Sequence, residues 1–122
     1  MLKLYQSAAS NHSARVRMAL YYKKIEQHVT SASPTEYAAD WKNDAAFRRL
    51  NPHGLIPLLL TPESTPIPES DTIVRYLCSA FASYRPPLIP AEPLAAAKME
   101  RICRLHDVYL SPLQQAMFKA EG

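Results

Sequence analysis

The sequence predicts an α/β domain of order β-α-β-(α)-β-β-α, followed by a proline-rich linker and one or two further helices. Three observations predict it. Residues 2–5 alternate in character and Leu55–Leu60 is a compact apolar run; alternation marks a half-buried strand and a short continuous run a strand buried on both faces. The stretches 70–81 and 94–119 instead repeat their apolar residues at three- and four-residue intervals, which lines one side of a helix. Between them Arg85–Pro93 holds four prolines, Pro86, Pro87, Pro90 and Pro93, and proline stiffens a linker.

The elements follow in order. Leu2 and Leu4 alternate with Lys3 in the first strand, and Gln6–His12 is a polar loop of small residues. Ser13–Lys24 carries Val16, Met18, Ala19, Leu20 and Tyr22 near helical spacing, and Ile25–Val29 reads as a second strand by its alternation. Residues 31–44 are loop-like, with Pro34 among them. Ala45–Leu50 forms a short helix that ends at Asn51-Pro52, since the residue before proline avoids the helical region. Leu55–Leu60 is a buried strand entered through Pro57, and residues 61–68 make a turn and a proline-limited edge strand. Ile73, Val74, Leu77 and Cys78 form the apolar face of helix 70–81, with Ser70 or Asp71 as its cap. In the last helical stretch, from Leu94 to about Lys119, Pro112 kinks or divides the helix, because an interior proline costs about 3 kcal/mol.

Composition excludes several functions. At 122 residues the chain has room for one small domain and a short extension. Its only glycines are Gly54 and Gly122. A dinucleotide fingerprint or a phosphate-binding P-loop needs several close together. A net charge of +3 is mild, and the basic residues are scattered apart from Arg15, Arg17, Lys23 and Lys24 and the Arg48-Arg49 pair, which argues against a nucleic-acid partner. No apolar run approaches the ~20 residues of a membrane span, and the N-terminus lacks the pattern of a signal peptide. Two cysteines make no disulfide framework, so a cytoplasmic, reducing setting is expected. Cys103 and His106 have ligand-like spacing but no second pair to close a zinc site, so no metal is expected. Residues 10–13 read Ser-Asn-His-Ser, which removes the Cys-x-x-Cys of a dithiol reductase.

Four segments carry a resemblance. They are Leu4-Tyr5 followed by Ser10-Asn11-His12-Ser13-Ala14-Arg15-Val16-Arg17; Asn51-Pro52-His53-Gly54-Leu55-Ile56-Pro57-Leu58; Glu69-Ser70-Asp71-Thr72-Ile73 with Tyr76-Leu77; and Leu88-Ile89-Pro90 followed by Arg101 and Asp107. In this order and spacing the chain resembles the glutathione transferase family, above all its serine-type zeta and tau classes. The resemblance implies a thioredoxin-like, glutathione-binding domain over 1–82, a linker over 83–93 and the start of the family's all-helical domain over 94–122, with most of that helical domain missing.

Glutathione offers a thiol, a γ-glutamyl head with its own carboxylate and amine, and a glycine carboxylate. An unperturbed thiol, with a pKa of about 8.5, is mostly protonated at neutral pH. Activation needs a donor and positive potential beside the sulfur, which a hydroxyl at a helix N-terminus supplies. From the residues alone, Ser10 or Ser13 caps the first helix; the resemblance assigns catalysis to Ser10 and leaves Ser13 the cap, with Ser7 or Asn11 as a second donor. His12 adjoins the site. The resemblance further implies a cis peptide before Pro57, so that the backbone of Ile56 pairs with the cysteinyl part. It implies that Ser70 and the first amides of its helix hold the γ-glutamyl carboxylate, with Glu69 facing the ammonium group. An ordinary acidic cap at Glu69 is the plain alternative. Lys42 or His53 would meet the glycine carboxylate.

The implied activity is attack of the thiolate on a small electrophile, or glutathione-dependent isomerisation. The implied partner is a second copy of the chain, joined partly through helices 70–81 and 95–117, with or without exchange of helices. The alternatives are a non-catalytic assembly module of the same fold and a glutathione-binding remnant.

Overall fold

The computed structural model describes residues 1–120. They belong to two compact units, Met1–Leu88 and a second from Ile89 onward.

The first unit is built on a four-stranded sheet of order β2-β1-β3-β4, with β1 at Leu2–Tyr5, β2 at Val29–Ala32, β3 at Leu58–Leu60 and β4 at Pro66–Pro68. β1 pairs parallel with β2 and antiparallel with β3, and β3 antiparallel with β4. The apolar strands take the two inner places, while β4 carries Pro66 and Pro68 at an edge, where a missing amide hydrogen costs no ladder bond.

Successive side chains of a strand leave on opposite faces, and the two cores follow from that. Leu2, Leu4 and Leu59 pack on one face with Val16 and Leu20 of α1 (Asn11–Lys23), Ile25, and Ile73 and Leu77 of α3 (Ser70–Ala80). Tyr5 and Leu58, paired in register, turn to the other face and pack on Phe47 of α2 (Ala45–Leu50), with Tyr37, Trp41 and Ile56 around them. This is the element order that the sequence predicts and the thioredoxin-like arrangement that the resemblance implies.

Three boundaries differ from the sequence reading. The third strand is Leu58–Leu60, not Leu55–Leu60: the Leu55 carbonyl is held by the Asn51 side chain, and Leu55 stays exposed outside the sheet. The second strand is Val29–Ala32, not Ile25–Val29. Lys24 closes α1 in the left-handed conformation, at φ 56°, and Ile25 then drops fully into the core. A single 3-10 turn at Glu26–His28 carries the chain into register, with Val29 opposite Leu2. The stretch expected to be loop therefore begins as strand, and it continues through 3-10 turns at Pro34–Glu36 and Trp41–Asn43. The first helix, in turn, starts at Asn11 rather than Ser13.

Lys23 is only 2% exposed. Its ammonium donates to the carbonyls of Tyr84 at 2.9 Å and Pro86 at 3.5 Å, pinning the segment after α3 to the end of α1. Lys23→Met keeps the stem but leaves those carbonyls without their donor. A loss of about 1–3 kcal/mol is expected in urea unfolding; an unchanged midpoint would show that the ammonium does not hold the segment.

In the second unit α4 spans Pro93–Leu105 and α5 spans Ser111–Ala120, joined by a wide π-turn at His106–Leu110. The Glu92 carboxylate caps α4, accepting from the amides of Leu94 at 2.8 Å and Ala95 at 2.7 Å. These bonds hold its carboxyl below the usual range. Pro112, expected to kink or divide the helix, is the second residue of α5. It has no amide hydrogen and would crowd the carbonyl of Val108 in a regular helix; the π-turn lies where that conflict would fall. The end of the expected 94–122 segment, Glu121 and Gly122, lies outside the described residues. No helix among the described residues is long and apolar enough to cross a membrane.

Candidate functional site

The strand register gathers the candidate residues at one end of the sheet. Ala32, Tyr5, Leu58 and Pro68 form its last row. β1, β2 and β4 leave the sheet at this row and β3 enters there. The loop 6–10, the turns after β2, the segment 51–57 and the Glu69-Ser70 step therefore share one end, as do the N-termini of α1 and α3. Helix N-termini carry partial positive charge and unpaired amides, so this end favours an anion.

Ser10 is extended, at φ −84° and ψ 122°, and caps α1: its Oγ accepts from the amide of Ser13 at 3.1 Å. Ser13, expected to be the cap, is instead fully buried inside the first turn, and its Oγ accepts from the Ser7 amide at 3.4 Å. The reason is backbone geometry, since a cap must be extended while its carbonyl already enters the helix. The Ala14 amide donates to the Ser10 carbonyl at 2.9 Å. The Ser10 hydroxyl uses a lone pair for the cap and still carries a hydrogen. Arg17 braces the loop from below, donating to Gln6 Oε1, to the Ser7 carbonyl at 2.9 Å and to the Ala8 carbonyl at 3.3 Å.

At α3 neither Ser70 nor Asp71 is the cap. Glu69 holds that position with φ 73°, and its side chain makes no capping bond. The chain turns from Pro68 into the helix within this one residue. A non-glycine residue at positive φ costs of order 1–3 kcal/mol and persists where its surroundings demand it. Glu69 is exposed and Ser70, the first helical residue, is buried. Ser70 Oγ accepts from Arg15 Nη1 at 3.1 Å, which ties the start of α3 to α1. Asp71 pairs with Arg75 at 2.9 Å.

The segment between α2 and β3 is held by two side chains. Buried Asn51 donates through Nδ2 to the Leu55 carbonyl at 2.9 Å, and its Oδ1 accepts from the His53 amide at 3.3 Å. Arg48 donates to the carbonyls of Lys42 at 2.7 Å and Pro52 at 2.9 Å, joining the two stretches that bear Lys42 and His53. Both of those residues are exposed, and the Lys42 ammonium lies 5.5 Å from the Trp41 ring centroid. The Ile56–Pro57 peptide bond is cis. Pro57 is buried and Ile56 half-buried.

Gly54 closes this segment at φ +62°, and a Cβ there would lie 2.5 Å from the Lys42 carbonyl oxygen. Gly54→Ala is expected to cost about 2 kcal/mol in urea unfolding, from left-handed strain and overpacking together. A loss under about 0.5 kcal/mol would mean that the two stretches separate freely.

Two other groups near the sheet are committed elsewhere. Tyr5 is 3% exposed and its hydroxyl donates to Glu36 Oε2 at 3.4 Å, beside the Lys3 ammonium at 2.8 Å from the same oxygen. The Lys3 bond holds the Glu36 carboxyl below its usual range. Burial pushes the Cys78 thiol up, which keeps it protonated. What remains at the sheet end is a hydroxyl at one helix N-terminus, first-turn amides at another that have no partner within their own helix, and positive charge from Arg15 and Arg17. That set can stabilise a thiolate and grip a carboxylate. The bracing roles of Arg15, Arg17 and Arg48 are absent from the sequence reading. The one available signal is Arg15 itself, a cation near the positive pole of a helix with no acid in its first turn.

A family model described as the glutathione S-transferase N-terminal domain matches residues 9–80. The chain is 28% identical over 115 residues to a maleylacetoacetate isomerase of Pseudomonas aeruginosa, covering 94% of this chain and 53% of that protein. It is 31% identical over 111 residues to a probable maleylacetoacetate isomerase 1 of Drosophila melanogaster, covering 91% of this chain and 44% of that one. The chain thus spans about half the length of these curated relatives. A glutathione transferase family member of Pseudomonas fluorescens, solved with bound glutathione, has a TM-score of 0.74 at 25% identity, covering 88% of this chain and 50% of that one. The family match runs through Ser10, Ile56-Pro57 and Glu69-Ser70, the residues that β1, β3 and β4 bring to one end of the sheet, and the chain belongs to the glutathione S-transferase family.

Proposed function

We propose that the first unit binds glutathione at this end of the sheet and activates its thiol. The observation that carries the reading is the convergence of Ser10, Ile56-Pro57 and Glu69-Ser70 on one sheet end between two helix N-termini. A relative of the same fold holds glutathione.

In this reading Ser70 and the first amides of α3 take the γ-glutamyl carboxylate, Glu69 faces the γ-glutamyl ammonium, and Ile56 pairs its backbone with the cysteinyl residue. Lys42 or His53 meets the glycine carboxylate. The Ser10 hydroxyl donates to the sulfur; the α1 N-terminus adds positive potential, and the thiol proton leaves to solvent. Both effects stabilise the thiolate over the thiol and so lower its pKa. The thiolate then attacks a small electrophile or adds to a double bond that isomerises. Two relatives named as maleylacetoacetate isomerases favour the second course. We assign the work to a cytoplasmic homodimer with no metal.

A second reading, a non-catalytic assembly module, draws on the second unit. Ile102, Tyr109, Leu113 and Met117 are exposed there by 69, 68, 66 and 69%. Such exposed apolar surface invites a partner.

Calorimetric titration with glutathione separates the two. Saturable binding, weakened by Ser70→Ala, is the expected result. No heat up to several millimolar, a limit of about −4 kcal/mol, would sink the glutathione reading and leave the module.

A further inference from the structure

We infer that Arg15 is a positioning residue: it fixes the direction of the Ser70 hydroxyl so that it donates to the γ-glutamyl carboxylate of the ligand. The inference rests on the glutathione reading and adds a residue from another element to it. The observation is the 3.1 Å bond from Arg15 Nη1 to Ser70 Oγ, between residues 55 apart in sequence. A guanidinium has donors and no acceptor, so the polarity of this bond is fixed and Ser70 is the acceptor. Its hydroxyl hydrogen is thereby turned away from Arg15. Ser70 is only 5% exposed, so water does not set its rotamer freely. Ser70 is also the first residue of an eleven-residue helix, beside the amides of Asp71 and Thr72 that have no partner within the helix. A hydroxyl donor beside such amides suits a carboxylate.

Arg15 has no comparable reason to be there for helix stability. It lies near the positive pole of α1, where a cation is disfavoured. Its placement brings charge to the junction of the two helices, which strengthens any bond Ser70 makes to an anion.

The test is a double-variant cycle read by calorimetric titration with two ligands. One is glutathione. The other is the same tripeptide with 4-aminobutanoyl in place of γ-glutamyl, which lacks only the α-carboxylate. Arg15→Met keeps the stem and removes the donors; Ser70→Ala removes the hydroxyl. Each is expected to weaken glutathione about tenfold, the loss of one charge-assisted hydrogen bond. Because Arg15 acts through Ser70, the double variant should also lose about tenfold rather than a hundredfold. Binding of the analogue should be unchanged in all three.

Circular dichroism and thermal midpoints establish that the variants fold. Should Arg15→Met not fold, Arg15→Gln, which keeps one amide donor, takes its place, with a smaller loss that is again absent over Ser70→Ala. Losses that multiply, or an equal loss for both ligands, would overturn the positioning role while leaving glutathione binding intact. Failure of the unaltered chain to bind glutathione would overturn the underlying reading, and this one with it.

Discussion

Phe47→Ala is expected to lower the unfolding free energy by about 3–5 kcal/mol, the range for removing a buried aromatic ring. Phe47 is fully buried. Its ring is packed edge-on against Trp41 at 5.1 Å, Tyr37 at 5.5 Å and Tyr5 at 6.3 Å between centroids, so the cavity would be lined by three large rings, of which Tyr5 is fixed in β1. α2 has six residues, too few to persist as an isolated helix. What holds it is the Asp44 carboxylate, which accepts from the amides of Ala46 and Phe47 at 2.9 Å each, and the burial of Phe47 itself. With the ring gone, α2 loses its anchor and so does the segment that leads to Ile56. Urea unfolding followed by circular dichroism measures the loss, with exposed Arg49→Ala as a control expected within about 0.5 kcal/mol of the parent. A loss under about 1 kcal/mol for Phe47→Ala would show that this face of the sheet is not a packed core. Folded domains hold only about 5–15 kcal/mol in all.

The same residue shows what a sequence makes legible. Phe47 lies in a stretch whose helical character and end at Asn51-Pro52 are written locally; the strand Leu2–Tyr5 follows from alternation, and the apolar run 55–60 contains the third strand, which occupies only its second half, Leu58–Leu60. Local rules suffice where the residues that decide an element are its own. They fail at Ile25. Its side chain fits the alternation of a strand, yet the core beneath α1 takes it, and the strand begins only at Val29. They fail again at the caps. Ser10 and Ser13 are chemically equal as capping residues; the choice depends on which backbone is extended, and that is set by a loop braced by Arg17 from the second turn of the helix.

The site divides along the same line. Ser10, Ile56, Pro57, Glu69 and Ser70 are found from short segments whose order resembles a family. Which of these share a sheet end is a matter of register, and register is long-range. The bond from Arg15 to Ser70 joins two helices that no window of sequence holds together, and the brace of Arg48 on Lys42 and Pro52, though local, is a side-chain bond to backbone that residue type alone does not announce. The positive φ of Glu69 is equally invisible, because it arises from the need to turn directly from an edge strand into a helix.

Ser10→Ala is expected to lower kcat/KM toward a reactive aryl halide about a hundredfold, in the range for removing one donor from a developing or resident anion. The same change removes the cap of α1, whose Oγ–amide bond measures 3.1 Å, and should cost about 1 kcal/mol of stability. The two losses have different causes and need different controls. Ser10→Asp separates them. An aspartate is as good a cap as serine and its charge suits a helix N-terminus, so stability should stay within about 0.5 kcal/mol of the parent. It has no hydrogen to donate when ionised, and it sets a negative charge beside the sulfur. Turnover should therefore fall at least as far as in Ser10→Ala. The pH dependence carries the sign. A donor to the thiolate favours the charged form and lowers the thiol pKa; without it the pKa returns toward about 8.5. The thiolate absorbance of bound glutathione should then appear at higher pH in both variants, and the rate of Ser10→Ala should recover in part as pH rises. If Ser10→Ala loses stability while thiolate titration and turnover stay with the parent, Ser10 is a cap and nothing more. The activating donor must then be sought at Ser7 or Asn11, in the loop and first turn on either side of it.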